Sequence, residues 1–166
     1  MSKVASTRRA FLTGNTLRET GHYYPPGVTD ESVRNCSGCG GCAEVCPTKI
    51  ITVRSRVPIV DFKVGECTFC GNCSKRCPER VFPPEPAASF THHAVITGTC
   101  LALNFVDCQA CRDACPTTAI RFKPRLGGPF VPVLDTDPCT GCGACISVCP
   151  TQSITMTANT TEVAHA

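Results

Sequence analysis

Sixteen of the 166 residues are cysteine, and they fall into four groups of four with none left over. Three groups share one spacing, C-x2-C-x2-C-x3-C-P: Cys36, Cys39, Cys42 and Cys46; Cys67, Cys70, Cys73 and Cys77; Cys139, Cys142, Cys145 and Cys149. The third group along the chain is Cys100, Cys108, Cys111 and Cys115; its last three members obey the rule, but its first lies eight positions upstream. Thiolates at this spacing suit a cube of four irons and four sulfides. Three cysteines at intervals of three curl a short loop around one cube, and the fourth, past the turn, points toward a neighbouring one. Gly40, Gly41, Gly71, Gly141 and Gly143 lie between the cysteines. Such small residues let the backbone approach the sulfurs, where N–H groups tune the reduction potential. The proline after each group fixes the backbone just past the last ligand.

The run C-x2-C-x2-C-x3-C-P is the bacterial ferredoxin pattern for 4Fe-4S clusters. Disulfides need an oxidising compartment and give no reason for the same triple spacing to recur. Zinc sites use two C-x2-C pairs well separated in sequence. The expectation is therefore four 4Fe-4S clusters with all sixteen cysteines as iron ligands. The wide gap after Cys100 leaves one alternative, a free buried cysteine beside an incomplete third site. The gaps between groups are 20, 22 and 23 residues, which makes adjacent pairing natural. Group one then exchanges its last cysteine with group two, and group three with group four. A nested pairing, one with four and two with three, stays open at this point.

The elements that must position these loops repeat as well. Groups one, three and four are followed by "PTKIITV", "PTTAIRF" and "PTQSITM". Pro-Thr suits a short helical turn, and the β-branched residues after it suit a strand. "PIVDF" precedes group two and "PVLD" precedes group four, both short strands. Residues 50–54 with 57–62, and 118–123 with 131–135, read as hairpins. The fold expected is α+β: two tandem ferredoxin-like units, each built around a pair of cluster motifs, behind an extended or disordered N-terminal segment. The boundaries are 1–26 for that segment, 27–56 and 57–86 for the first two motifs, 87–98 for a linker, 99–126 and 127–158 for the last two motifs, and 159–166 for a tail. The Pro-rich "FPPEPAASFTHH" reads as part of the join between the halves, with His92 and His93 exposed in it. Lys75, Arg76 and Arg112 read as solvated loop charges. Phe69 and the loop after Cys100 either shield the sites or pack an ordinary core.

Composition narrows the function. The chain has 14 prolines, 13 glycines and no tryptophan, so its organic core is thin and an inorganic staple is expected. Four thiolates around an oxidised four-iron core leave about −2 per site, which takes the formal charge of +3 to about −5. An acidic surface without a basic, aromatic-interleaved patch disfavours nucleic acid. No run of 18 apolar residues exists to form a membrane span. No nucleophile–base pair or Gly-rich phosphate loop is present. The chain reads as an electron carrier or accessory factor and not as an enzyme. Near the start, Arg8-Arg9 resembles a twin-arginine export signal, but only Ala10-Phe11-Leu12 follows as apolar sequence before polar residues with Arg18 and Glu19. A signal needs about 7–15 apolar residues, so the segment is expected to stay in the cytoplasm, as a basic tail or as a docking segment for a partner.

The Arg8-Arg9 start, Pro25-Pro26, the four cysteine groups in this order and the wide third group together resemble the ferredoxin-type accessory proteins of periplasmic nitrate reductase systems, the NapF family. Leu101 and Ala102 after Cys100, then five residues before Cys108, carry most of that likeness. The resemblance implies a cytoplasmic iron–sulfur protein that contacts the catalytic subunit, NapA, before its export and helps it mature. Two other roles fit the clusters alone: a soluble electron carrier, or the electron-wiring subunit of a larger oxidoreductase.

Overall fold

The computed structural model describes residues 23–158. Arg8 and Arg9, with the rest of the proposed docking segment, lie outside the described residues. Four short helices carry cysteines: α1 (Gly41–Glu44), α2 (Asn72–Arg76), α3 (Ala110–Asp113) and α4 (Ala144–Ser147). Each is a single turn of four or five residues, too short to persist without tertiary support. Six strands form three two-stranded antiparallel sheets.

The first sheet is the hairpin of β1 (Ile51–Arg54) and β2 (Val57–Val60), in register from Ile51↔Val60 to Arg54↔Val57. Its two turn residues, Ser55 and Arg56, both have positive φ, 49° and 64°. That is the mirror-image turn whose twist matches a tight hairpin. The second hairpin joins β4 (Ile120–Arg125) to β5 (Gly128–Leu134), with an irregularity between Lys123 and Arg125. Both expected hairpins therefore form, and the second runs closer to its turn than the β-branched residues alone indicated.

The third sheet corrects the reading of the linker. Residues His92–Ile96 are a strand, β3, paired with β6 (Ile154–Ala158) from His92↔Ala158 to Ile96↔Ile154. His92 is buried, not exposed. The local sequence gave no sign of this because β3 gains its partner from the far end of the chain, after the last cysteine group. The same pairing makes the halves unequal. The second half has the complete frame: strand, cysteine loop, hairpin, cysteine loop, closing strand. The first half has its hairpin, but no closing strand follows Cys77, where "PERVFPPEP" lacks a β-branched run. An isolated bridge from Tyr23 to Val60 stands where a strand pair would be.

The halves share one core. Ile50, Ile51, Val60 and Phe62 from the first pack in a continuous cluster with Phe90, Ala94, Ile120, Ile154 and Met156 from the second. Burying one such aliphatic side chain contributes about 1.5–3 kcal/mol. Tyr23 crosses the seam: its hydroxyl donates to the Met156 carbonyl at 3.1 Å. Phe62, Phe90, His92 and Tyr23 meet there ring against ring, with Phe90 stacked on His92 at 4.6 Å between centroids. Among the described residues no helix is long and apolar enough to cross a membrane.

Candidate metal centres

The helical turns begin where glycine reverses the chain. Gly40, Gly71 and Gly143 sit at φ 77°, 72° and 83°, and each helix so capped carries the third cysteine of its group. The third group has Gln109 at this position, with φ −132°, so its loop is irregular here as well as after Cys100. Each helix then delivers its two cysteines in opposite directions. Cys42 lies on α1, and Cys46 follows just beyond its end. Cys73 lies on α2, and Cys77 caps it.

Thiols gather in the adjacent pairing. Cys36, Cys39, Cys42 and Cys77 line one cavity with Val53, Pro58 and Val81 (site one). Cys46, Cys67, Cys70 and Cys73 line a second with Ile50, Val60 and Phe69 (site two). Cys115, Cys139, Cys142 and Cys145 line a third with Ala94, Ile120 and Met156 (site four). Cys111 has Cys100, Cys108 and Cys149 as its electrostatic neighbours, which defines site three. Four soft donors around an apolar pocket match the needs of a 4Fe-4S cube, and sites one, two and four each have that lining. Cys100 is buried beside Cys111 and is held there, not turned away to an unrelated part of the core.

Electrostatics separates the members of each set. Burial pushes Cys145 up to about 12, with Cys142 and Cys139 crowding it further. Burial likewise pushes Cys42, Cys67 and Cys111 up to about 11. Thiols held this high are protonated at neutral pH, so metal binding must expel those protons. Cys46, Cys115 and Cys149 go the other way. Burial raises them too, but hydrogen bonds to the sulfur outweigh it and bring each below the ordinary thiol value. The donors come from the Pro-Thr signature. Thr48 lies 3.6 Å from the Cys46 sulfur and Thr117 lies 3.6 Å from Cys115, whereas Thr151, 3.8 Å from Cys149, donates to the Ser153 hydroxyl at 3.2 Å. The Ala119 and Ser153 amides donate to Cys115 and Cys149 at 3.3 Å, and the Ser153 hydroxyl lies 3.2 Å from Cys149. The residue after each threonine, Lys49, Thr118 or Gln152, has φ between 50° and 55°, turning the chain into the strand that follows. Cys77 is followed by Pro-Glu and has no such hydroxyl.

The family described as the 4Fe-4S dicluster domain matches twice, over residues 35–81 and 106–153. The second match begins beyond Cys100, the irregular member. The ferredoxin-type protein NapF of Haemophilus influenzae is 43% identical over 135 residues, covering 80% of this chain and 77% of that protein. The ferredoxin-type protein NapF of Escherichia coli K12 is 36% identical over 156 residues, covering 92% and 95%. The chain belongs to the NapF family. It is accordingly an iron–sulfur protein of the ferredoxin type, with 4Fe-4S domains suited to electron transfer.

Within this NapF-family chain, several residues that support the sites escaped the reading of the sequence. Arg56, at the tip of the first hairpin, donates from Nε to the Cys36 carbonyl at 3.1 Å. Arg125, near the tip of the second, donates to the Ala102 and Leu103 carbonyls at 2.9 and 3.4 Å and stacks over Phe105 at 4.0 Å. The two hairpins thus clasp the first loops of sites one and three in the same way. Asn104 closes the wide third loop internally, donating to the Gly98 and Cys100 carbonyls at 2.7 and 2.8 Å. The repeated Pro-Thr was visible in sequence, but its bond to sulfur was not. Of the loop after Cys100, only Ala102 is fully buried; Phe105 and Val106 are largely exposed. Phe69 lines site two and packs edge-on against Phe90. Arg112 pairs with its neighbour Asp113 on the surface, as a solvated charge should.

Proposed function

We propose that the sixteen cysteines hold four 4Fe-4S clusters, in the four sets described, and that the protein acts in the cytoplasm on the catalytic subunit of periplasmic nitrate reductase, NapA, before its export. It would assist maturation of that subunit, by supplying electrons or by helping its own iron–sulfur cluster assemble. The observation that carries the cluster reading is the exchange of closing cysteines: Cys46 beside the group-two triplet, and Cys115 beside the group-four triplet. A bound cluster supplies reversible one-electron chemistry, and no step that needs a nucleophile is proposed.

Iron and sulfide analysis of anaerobically purified protein tests the first part. About 16 irons are expected, and about 12 would single out site three as incomplete. The partner is supported by kinship with the NapF proteins. Co-purification with the unexported catalytic subunit is expected, and full maturation of that subunit in a deletion strain would refute the assignment. Arg8 and Arg9 are proposed as the docking segment; replacing both should weaken partner binding, whereas unchanged affinity would leave them a basic tail. A second reading, a soluble electron carrier, is favoured by the exposure of Cys39 and Cys70, which would bring sites one and two near a redox partner. It requires every cluster to turn over with a physiological donor.

A further inference from the structure

The seam between the halves is closest at the cysteine loops themselves. The Cys67 amide of site two donates to the Cys142 carbonyl of site four at 2.9 Å. Among the described residues this is the one backbone hydrogen bond that joins a cysteine loop of the first half to one of the second. The glycines flanking Cys142 permit the approach. A Cβ on Gly143 would collide with the Phe62 ring, and one on Gly141 would lie 2.5 Å from the His92 carbonyl. Among the described residues, sites one and three have no such backbone bond to the opposite half. Their first loops are clasped by the hairpin tips through Arg56 and Arg125. Within each half the coupling is tighter still, because α1 carries Cys42 of site one and leads directly to Cys46 of site two. Similarly α3 carries Cys111 of site three and leads to Cys115 of site four.

We propose that the two halves exchange electrons at the Cys67–Cys142 junction, so that the sites are ordered one, two, four, three, and not in sequence order. The proposal rests on the four-cluster reading and deepens it. One electron leaves one site and arrives at the next, oxidising the first and reducing the second, with no proton or bond exchanged. An external one-electron donor at one end and an acceptor at the other complete the balance. Electron transfer weakens steeply with distance, so one short junction decides the route. Sites one and three become the termini, and a partner that docks near either terminus addresses the whole path.

Paired ligand variants of the full chain test the order, with dithionite as reductant and EPR as readout. Cys39→Ser with Cys108→Ser removes sites one and three; Cys70→Ser with Cys139→Ser removes sites two and four. The first variant should retain about 8 irons and, when reduced, show signals split by spin–spin interaction. The second should retain about the same iron and show two independent signals. Uncoupled signals in the first, or splitting in the second, would overturn the order while leaving the clusters intact. If either variant fails to hold iron, Phe62→Ala in the otherwise unaltered chain decides instead. Loosening the seam should weaken the interaction, and an unchanged interaction at full iron would refute the junction. An unaltered chain binding far fewer than about 16 irons would overturn the cluster reading itself, and the order with it.

Discussion

The hydroxyl groups beside the closing cysteines are the smallest features with a measurable consequence. A hydrogen bond to a ligating sulfur stabilises the more negative, reduced cluster and raises its potential. Cys149 receives the Ser153 hydroxyl and the Ser153 amide, and Thr151 backs them by donating to the Ser153 hydroxyl at 3.2 Å. Replacing Thr151 by Val and Ser153 by Ala should lower one of the four potentials by about 20–60 mV per lost bond, taking a net bond as about 0.5–1.5 kcal/mol. An EPR-monitored redox titration at unchanged iron content reads the shift; four unmoved potentials would refute it. His92 carries a second prediction. Burial holds its imidazole below the ordinary value of 6.5, against the Nε2–H bond to the Gly141 carbonyl that raises it. A folded pKa below the unfolded one leaves stability undiminished above about pH 6.5. As pH falls further the unfolded chain takes up a proton that the folded chain refuses, and stability is lost. His92→Gln, which keeps a side-chain N–H donor, should flatten that acid-side decline in thermal melting; equal slopes would count against it.

Hairpins and helical turns act here as holders for loops. Arg125 reaches back from β4 to hold the wide loop after Cys100, and Asn104 holds it from within. Losing the Arg125 bonds also strips the cation from Phe105. Arg125→Ala should therefore lose site three first under mild chelation, shedding about 4 irons while the other sites persist. Parallel loss from all sites would sink the assignment. Much of this layer was legible beforehand. The β-branched runs after Pro-Thr marked β1, β4 and β6, and the spacing of the cysteines marked their loops. The clasping arginines were not legible, because a single Arg at a hairpin tip looks like any solvated charge until the loop it reaches is known. Strand β3 was hidden for a different reason. "HHAVI" is short, follows a Pro-rich run, and pairs with residues that lie beyond two cysteine groups. Adjacent versus nested pairing of the sites was also beyond sequence, since both satisfy every spacing and only packing separates them.

Taken as one object, the protein has a frame in its second half and a dependent first half. The continuous core predicts that the two do not melt independently. Ile120 is almost fully buried at 2% exposure and lies in the second half. Ile120→Ala should cost about 2–5 kcal/mol, and cluster absorbance from both halves should be lost in one shifted transition. Two separate transitions, with only the later groups affected, would contradict a shared core. The frame also leaves its thiols unequally sheltered. In the first half Cys39 and Cys70 are exposed and only Cys46 is buried, whereas in the second half Cys100, Cys111 and Cys145 are buried and none is exposed. That inequality is a schedule for ageing in air. Oxygen should bleach sites one and two before it reaches three and four, so timed aeration should pause near half the starting iron. The weathered protein would keep its complete ferredoxin-like half and the sheet of β3 and β6, a worn carrier still folded and still half charged with metal.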